Sequence, residues 1–233
     1  MQESPTSTLT SSPQRPRVVA LILPGGTGER VGESCPKQYL KYGGESILRH
    51  TLRAFAPHVD DILVVCQDEW RHEAEPYLTC VGGKTAYESL TNGIAALAAK
   101  EDASTLVMIH DAVRPLVDAT IITDSIDVAC RYGNAIAAVP VYETLFSAPE
   151  DERTVRSMVR REGMYRAQTP HTFSLEALLQ MLRQAKARSI NDAQSACTLA
   201  FQLGYELHLS KGDLRNFKIT TPSDLSLYET LIP

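Results

Sequence analysis

The stretch Val18-Val19-Ala20-Leu21-Ile22-Leu23, followed at once by Pro24-Gly25-Gly26-Thr27-Gly28-Glu29-Arg30, decides the fold. An unbroken apolar run that stops at turn residues predicts a strand buried on both faces, the habit of parallel sheets covered by helices. Glycines at the carboxyl end of such a strand stand where open α/β sheets bind their ligands. Without a Cβ in the way, backbone N–H groups there can approach phosphate oxygens, and Arg30 and Lys37 add fixed positive charge. Two standard phosphate motifs are excluded. A dinucleotide G-x-G-x-x-G starting at Gly26 would need glycine at Val31, and a P-loop would need Lys and Ser or Thr where Glu29 and Arg30 follow Gly28. A bland turn would need neither Arg30 nor Lys37, which leaves a nucleoside triphosphate cradle of another kind.

Working outward, the pattern alternates. Ile47, Leu48, Leu52 and Phe55 recur at helical spacing, Asp61 to Cys66 reads as a strand, and a helix is expected over about 84–99. A strand at Thr105 to His110, a helix over about 119–131 and a strand at Ala135 to Val141 continue the rhythm. Such alternation predicts a doubly wound, Rossmann-like α/β sheet with helices on both faces. The charged segment from Glu143 to Arg166 breaks the alternation and reads as a protruding β-hairpin, a dimerisation arm over about 145–165. Helices at about 174–187 and 192–203, strands at Tyr205 to Leu209 and Phe217 to Thr220, and a capped helix from Pro222 complete a single domain over 17–233. Residues 1–16 are Ser, Thr and Pro with almost no apolar side chains, the composition of a flexible tail.

Composition bounds the function. With 233 residues, 43% hydrophobic and 22% charged, the chain can bury one substantial core. Twenty-three basic against 28 acidic residues give −5, which argues against a broad nucleic-acid surface. The longest apolar run, Val18 to Pro24, falls far short of the roughly 20 residues of a membrane span, and no export signal precedes it. The five cysteines, Cys35, Cys66, Cys80, Cys130 and Cys197, are odd in number and lack a C-x-x-C pair, so no disulfide framework or metal-ligand set is expected and the cytoplasm is the default compartment.

Leu-Pro-Gly-Gly-Thr-Gly-Glu-Arg-Val-Gly (23–32) with Pro-Lys-Gln-Tyr-Leu (36–40) resembles the signature of the methylerythritol phosphate cytidylyltransferases and their relatives, the ribitol-5-phosphate cytidylyltransferases. Further pieces occur in that family's order: Gly82-Gly83, Ser89 and Gly93; His110-Asp111-Ala112-Val113-Arg114-Pro115; Pro140-Val141 with Thr144; Ala167-Gln168-Thr169-Pro170; and Lys218-Ile219-Thr220-Thr221-Pro222-Ser223-Asp224-Leu225. The resemblance spans nearly everything from about 18 to 232. It implies an enzyme that joins CTP to a polyol phosphate with release of pyrophosphate and dependence on Mg²⁺ bound mainly through the CTP phosphates. Such chemistry needs no protein nucleophile, only positioning and electrostatic stabilisation of the crowded transition state.

By that resemblance Arg30, Lys37 and Lys218 are the catalytic cations. Pro24, Gly25, Gly26, Thr27, Gly28, Gly82, Gly83, Ser89 and Asp111 hold the nucleotide. Asp111, Thr144, Arg161, Thr169 and Asn191 hold the acceptor, with Arg161 reaching from the arm into the partner subunit's site and Thr144 and Thr169 supplying hydroxyl donors. His110 and Arg114 read as structural residues. Two positions depart from the family pattern: Ala86 stands where Arg is frequent, with Lys84 nearby as a substitute charge, and Asn191-Asp192 replaces Thr-Asp. The expected acceptor is 2-C-methyl-D-erythritol 4-phosphate, with D-ribitol 5-phosphate as the alternative. A Rossmann dehydrogenase is disfavoured by the broken fingerprint, and a non-catalytic nucleotide-binding protein by the presence together of Arg30, Lys37, Asp111 and Lys218.

Overall fold

The computed structural model describes residues 15–24, 35–149 and 153–232. The decisive run forms strand β1, Val18–Leu23, every residue of it buried except the half-buried Leu23. A small hairpin of β2 (Lys41–Tyr42) and β3 (Glu45–Ser46) leads into helix α1 (Ile47–Phe55), whose first turn is capped by the Ser46 hydroxyl accepting Arg49 N–H. Strand β4 (Asp61–Cys66), short helix α2 (Arg71–Ala74), strand β5 (Leu78–Val81) and helix α3 (Ala86–Ala98) follow. Then come β6 (Leu106–Asp111), α4 (Ala119–Tyr132) and β7 (Asn134–Pro140).

The second half is less regular. Strands β8 (Leu145–Ser147) and β9 (Ser157–Val159) pair antiparallel as a separate hairpin, the expected arm. The chain returns through β10 (Tyr165–Ser174), α5 (Leu175–Ala187), α6 (Ala196–Leu203), β11 (Leu209–Lys211) and α7 (Pro222–Leu231). The main sheet has seven strands in the order β11-β7-β10-β6-β1-β4-β5. Strand β1 pairs parallel with both β4 and β6, and among the described strands of this sheet β10 alone runs antiparallel, between β6 and β7.

Side chains of a strand alternate between its two faces, so a strand with helices on both sides must be apolar throughout. Val18, Ala20 and Ile22 pack with Leu48, Leu52 and Phe55 of α1 and Ile121 of α4. Val19 and Leu21 pack on the other face with Leu90 and Ile94 of α3, Leu178 of α5 and Leu199 of α6. Each fully buried Leu, Ile or Phe contributes about 1.5–3 kcal/mol relative to exposure.

The differences from the sequence reading have local causes. Strand β5 went unrecognised because it is an edge strand with Leu78 and Val81 exposed, so it carries no alternating apolar signal. Strand β10 was hidden by its polar composition, yet Thr172 is fully buried because its hydroxyl pairs with Ser125 Oγ at 2.7 Å. The last sheet strand is Leu209–Lys211 and not Tyr205 to Leu209. The segment expected as a strand at 217–220 crosses beside the sheet edge without joining it, tied by Ile219 N–H to the Val113 carbonyl at 3.0 Å. Helix α6 starts later than expected because Ser195 and Thr198 form a reciprocal capping box, which leaves Asn191 and Asp192 outside it.

Gly93 lets α3 lie directly on β1 and β4: a Cβ there would sit 2.7 Å from Leu21 Cδ1 and 3.1 Å from Val65 Cγ2. Gly93→Val is therefore expected to destabilise the protein by about 2 kcal/mol or more through overpacking. Urea unfolding of the variant beside the wild type measures this, and an unchanged midpoint would show that the helix can lift away at no cost.

A candidate active site at the carboxyl edge of the sheet

The parallel strands β1, β4 and β6 end on one edge, and a cavity of about 840 Å³ opens there. Leu23 and Pro24 leave β1 on its floor, and Asp111 ends β6 opposite Leu23 in register. Asp111 is the electrostatic centre. Its Oδ1 accepts from Lys218 Nζ at 2.9 Å and its Oδ2 from Arg114 Nε at 2.9 Å. Burial alone would raise the Asp111 carboxyl, but the charges and hydrogen bonds of Lys218 and Arg114 outweigh it and hold the group well below the usual carboxylate range. The side chain of Arg114 is 11% exposed, whereas that of Lys218 is 38% exposed. Both border the cavity, Arg114 as the more shielded brace and Lys218 as the more exposed cation.

What places Lys218 is the loop before it. Gln168 Nε2 donates to the Asp213 carbonyl at 2.8 Å, and Asn216 Nδ2 donates to the Thr169 carbonyl at 2.8 Å. Arg114 Nη1 in turn donates to the Asn216 carbonyl at 2.8 Å, which bears out the structural reading of that arginine and adds its pairing with Asp111. Gly212 N–H bonds the Ala138 carbonyl at 3.0 Å, fastening the start of this loop to β7.

The facing wall is the Gly82-Gly83 turn at the start of α3. Ser89 Oγ accepts Gly83 N–H at 3.0 Å, and the Glu88 carboxylate accepts Lys84 N–H at 2.6 Å. A Cβ on Gly83 would fall 2.2 Å from Glu88 Cβ, so only glycine permits this closed turn. Lys37, in a single 3-10 turn at Lys37–Tyr39, and Trp70, stacked on Tyr39 at 4.1 Å between ring centroids, border the cavity on another side.

The structure brings together Pro24, Lys37, Gly82, Gly83, Ser89, Asp111, Thr169 and Lys218, residues drawn from distant parts of the sequence, around one cavity. Gly25, Gly26, Thr27, Gly28 and Arg30 lie outside the described residues. Thr144, Arg161 and Asn191 do not border this cavity; Arg161 Nη1 donates to the Tyr142 carbonyl at 2.6 Å at the base of the arm. In place of Asn191, the cavity meets Gln194, Ser195, Cys197 and Thr198 at the start of α6, which the sequence reading missed. The Ser195-x-x-Thr198 spacing was the available signal. Among the described residues no group of three or more His, Cys, Asp or Glu could hold a metal, and the carboxylates at the cavity are Glu69 and the doubly paired Asp111. That donor set suits a Mg²⁺ ion carried on substrate phosphates and water better than one caged by protein.

A parallel-dominated α/β sheet with a cation and glycine turn converging at its carboxyl edge defines a nucleotidyltransferase-like class of protein. The family model described as IspD, 2-C-methyl-D-erythritol 4-phosphate cytidylyltransferase, matches residues 18–233, and the chain belongs to that family. It is 37% identical to the 2-C-methyl-D-erythritol 4-phosphate cytidylyltransferase of Deinococcus radiodurans, covering 93% of this chain and 90% of that protein. It is 31% identical to the ribitol-5-phosphate cytidylyltransferase of Lacticaseibacillus paracasei, covering 92% and 97%. Among solved structures, the 2-C-methyl-D-erythritol 4-phosphate cytidylyltransferase from Thermus thermophilus superposes with a TM-score of 0.74 at 31% identity, covering 90% of this chain and 97% of that one. A crystal structure of 4-diphosphocytidyl-2C-methyl-D-erythritol synthase gives a TM-score of 0.78 at 28% identity, over 94% and 100%.

Beneath the site lie two buried histidines. Burial holds His110 down at about 3 and His171 down at about 4, both well below the ordinary value of 6.5. In the unfolded chain both take up protons near pH 6.5, so the unfolded state binds more protons than the native one between there and the folded values. Their stabilisation is complete above pH 6.5 and is lost as the pH falls toward 4, at up to about 1.4 kcal/mol per pH unit for each histidine. Urea unfolding at pH 7.5 and 5.5 should therefore differ by about 2–3 kcal/mol; equal stabilities would mean that one or both rings are protonated in the fold.

Proposed function

We propose that this protein transfers CMP from CTP to 2-C-methyl-D-erythritol 4-phosphate and releases pyrophosphate, serving isoprenoid precursor synthesis in the cytoplasm. The observation that carries the reading is the fixed Lys218–Asp111–Arg114 cluster facing the Gly82-Gly83 turn across one cavity, in a chain whose family is named for this reaction. A phosphate oxygen of the acceptor attacks the α-phosphorus of CTP, a new P–O bond forms, and the bond to the β-phosphate breaks with its electron pair leaving on pyrophosphate. Negative charge gathers on the α-phosphoryl oxygens, and cations fixed beforehand stabilise it without reorganising.

Lys218 has one N–H committed to Asp111 and two left for phosphoryl oxygens. Asp111 keeps that ammonium charged and aimed. Lys37, Arg30 and the glycine-rich segment from Pro24 to Gly28 serve the β- and γ-phosphates. Mg²⁺ bound to the triphosphate supplies further charge neutralisation. Gly82, Gly83 and Ser89 read the cytosine: the Ser89 oxygen accepts Gly83 N–H, while its own proton reaches the Gly83 carbonyl only at 3.5 Å and is available to a base acceptor.

The same reading gives the arm a role in a homodimer. Phe146, Val155 and Met158 on the arm, with Tyr142 and Tyr165 at its base, are exposed apolar side chains close together in sequence, the composition of a surface that is covered in an assembly. Arg161 and Thr144 then reach the partner subunit's acceptor phosphate, with Asn191 lining the approach. D-ribitol 5-phosphate is the second candidate acceptor, favoured by the similarity to ribitol-5-phosphate cytidylyltransferases at 31% and 33% identity.

Pyrophosphate release from protein, CTP, Mg²⁺ and each acceptor in separate reactions is the deciding assay. Turnover is expected with methylerythritol phosphate, with CTP preferred over UTP by at least about tenfold. Lys37→Ala and Lys218→Ala should each lower kcat by about 10²- to 10³-fold, and Lys218→Ala should also lower the thermal midpoint, because it leaves the shielded Asp111 carboxylate with Arg114 alone. Turnover with ribitol phosphate alone would transfer the assignment to the second acceptor, and near-normal kcat in either variant would remove that lysine from the mechanism.

For the arm, sedimentation should give a dimer at assay concentrations, and Arg161→Ala should raise the KM of the acceptor far more than that of CTP. A fully active monomer would reject the exchanged arrangement.

A further inference from the structure

His110 is fully buried on β6, its ring against Phe55 at 4.7 Å between centroids, next in sequence to Asp111. Its two nitrogens have different partners. Nε2 lies 3.2 Å from the Arg114 carbonyl, which can only accept, so Nε2 carries the proton. Nδ1 is then a bare lone pair, and the Thr169 hydroxyl 3.0 Å away must donate to it. The same Thr169 oxygen accepts the Asp111 backbone N–H at 3.1 Å. The ring stays neutral across the working pH range because burial disfavours its charged form. Thr169 thus has its one proton and one of its two lone pairs engaged, and what it can offer the cavity it borders is the remaining lone pair.

A lone pair accepts from a hydroxyl and repels a phosphate oxygen. That reverses the role expected from the sequence, in which Thr169 supplied a hydroxyl donor to the acceptor. We propose that His110 is a positioning residue that fixes the Thr169 hydroxyl as a hydrogen-bond acceptor, so that Thr169 reads a hydroxyl group of the polyol chain and not its phosphate. The inference rests on the reading that a polyol phosphate is the acceptor. It leaves the phosphate end to the arm's cations and directs the hydroxylated end toward β10.

Two measurements test it. Nitrogen-15 NMR of the wild-type protein should give His110 as the Nε2–H tautomer from pH 6 to 8; the Nδ1–H tautomer overturns the proposal without any substitution. In the pyrophosphate assay, His110→Gln keeps a donor near Nε2 and loses the Nδ1 acceptor, while His110→Asn keeps an acceptor near Nδ1 and loses the donor. His110→Gln should raise the acceptor KM about tenfold, the cost of a mismatched buried pair, with the KM of CTP within about threefold of wild type, and His110→Asn should keep both near wild type. In a Thr169→Val background the His110→Gln effect should vanish, since both act through one hydroxyl. Equal acceptor KM values in His110→Gln and His110→Asn, or the same factor in both backgrounds, overturn this inference alone. A wild type that releases no pyrophosphate with any polyol phosphate removes the proposed function and this inference together.

Discussion

A carboxylate largely shielded from water stays ionised only when cations stand against it, and Asp111 has one on each oxygen. Much of the surrounding architecture follows from that requirement. Arg114 must be buried, so its second donor needs a carbonyl, and Asn216 supplies one. Asn216 then has to be held, and Thr169 and Gln168 of β10 hold it. Lys218, two residues further on, takes its place on the other carboxylate oxygen. The charge at the centre of the cavity is thereby linked through a continuous set of hydrogen bonds to strands β6, β7 and β10, and removing Asp111 would leave a buried guanidinium and an ammonium without their shared counter-charge.

The parts of this arrangement legible in the sequence are those that rest on short-range pattern. The apolar run of β1 and the glycines after it marked both the layer structure and the edge where ligands bind. Helix α1 was visible as an apolar stripe, α3, α4 and α5 as members of the alternation, and the arm as an interruption of it. What stayed hidden depends on pairing across the fold. Strand β10 buries Gln168, Thr169 and Thr172, residues that propensity assigns to loops, because partners on β6, α4 and the loop at 213–216 engage their polar atoms. Resemblance to a family named Thr169 as a hydroxyl donor to the acceptor, the opposite of the direction inferred from its partners. The inferred direction follows from the Arg114 carbonyl on the far side of the His110 ring.

The cavity's two walls are built differently. On the α3 side the Gly82-Gly83 turn is locked mainly by side chains a few residues away, Ser89 and Glu88, with Gly82 N–H bonded to the Cys66 carbonyl at the end of β4. On the Lys218 side, beside short-range bonds such as Arg215 N–H to Asp213 Oδ1, the cross-links to the sheet come from more than forty residues away, as with Gln168 to Asp213 at a separation of 45. A substitution in the first wall is felt where it occurs, whereas one in the second disturbs several strands. The departure at Ala86 falls in the first, locally determined wall, which can absorb it with neighbouring groups such as Lys84.

Strand β10 runs without a break from the foot of the arm at Tyr165 to the middle of the sheet at Ser174. It pairs with β7 up to Ala167 and again from His171, and with β6 only from His171 onward, so residues 168–170 are off the ladder on both sides. At about 3.3 Å per residue the strand carries the foot of the arm into the sheet, its arm half paired on one side by β7 and its core half on both sides by β6 and β7. That interruption contains Thr169, and the side-chain bonds that replace the missing ladder there are those that set Lys218 and Asp111, so the charged cluster of the cavity is fastened to the one stretch of the arm's own strand that backbone pairing leaves free.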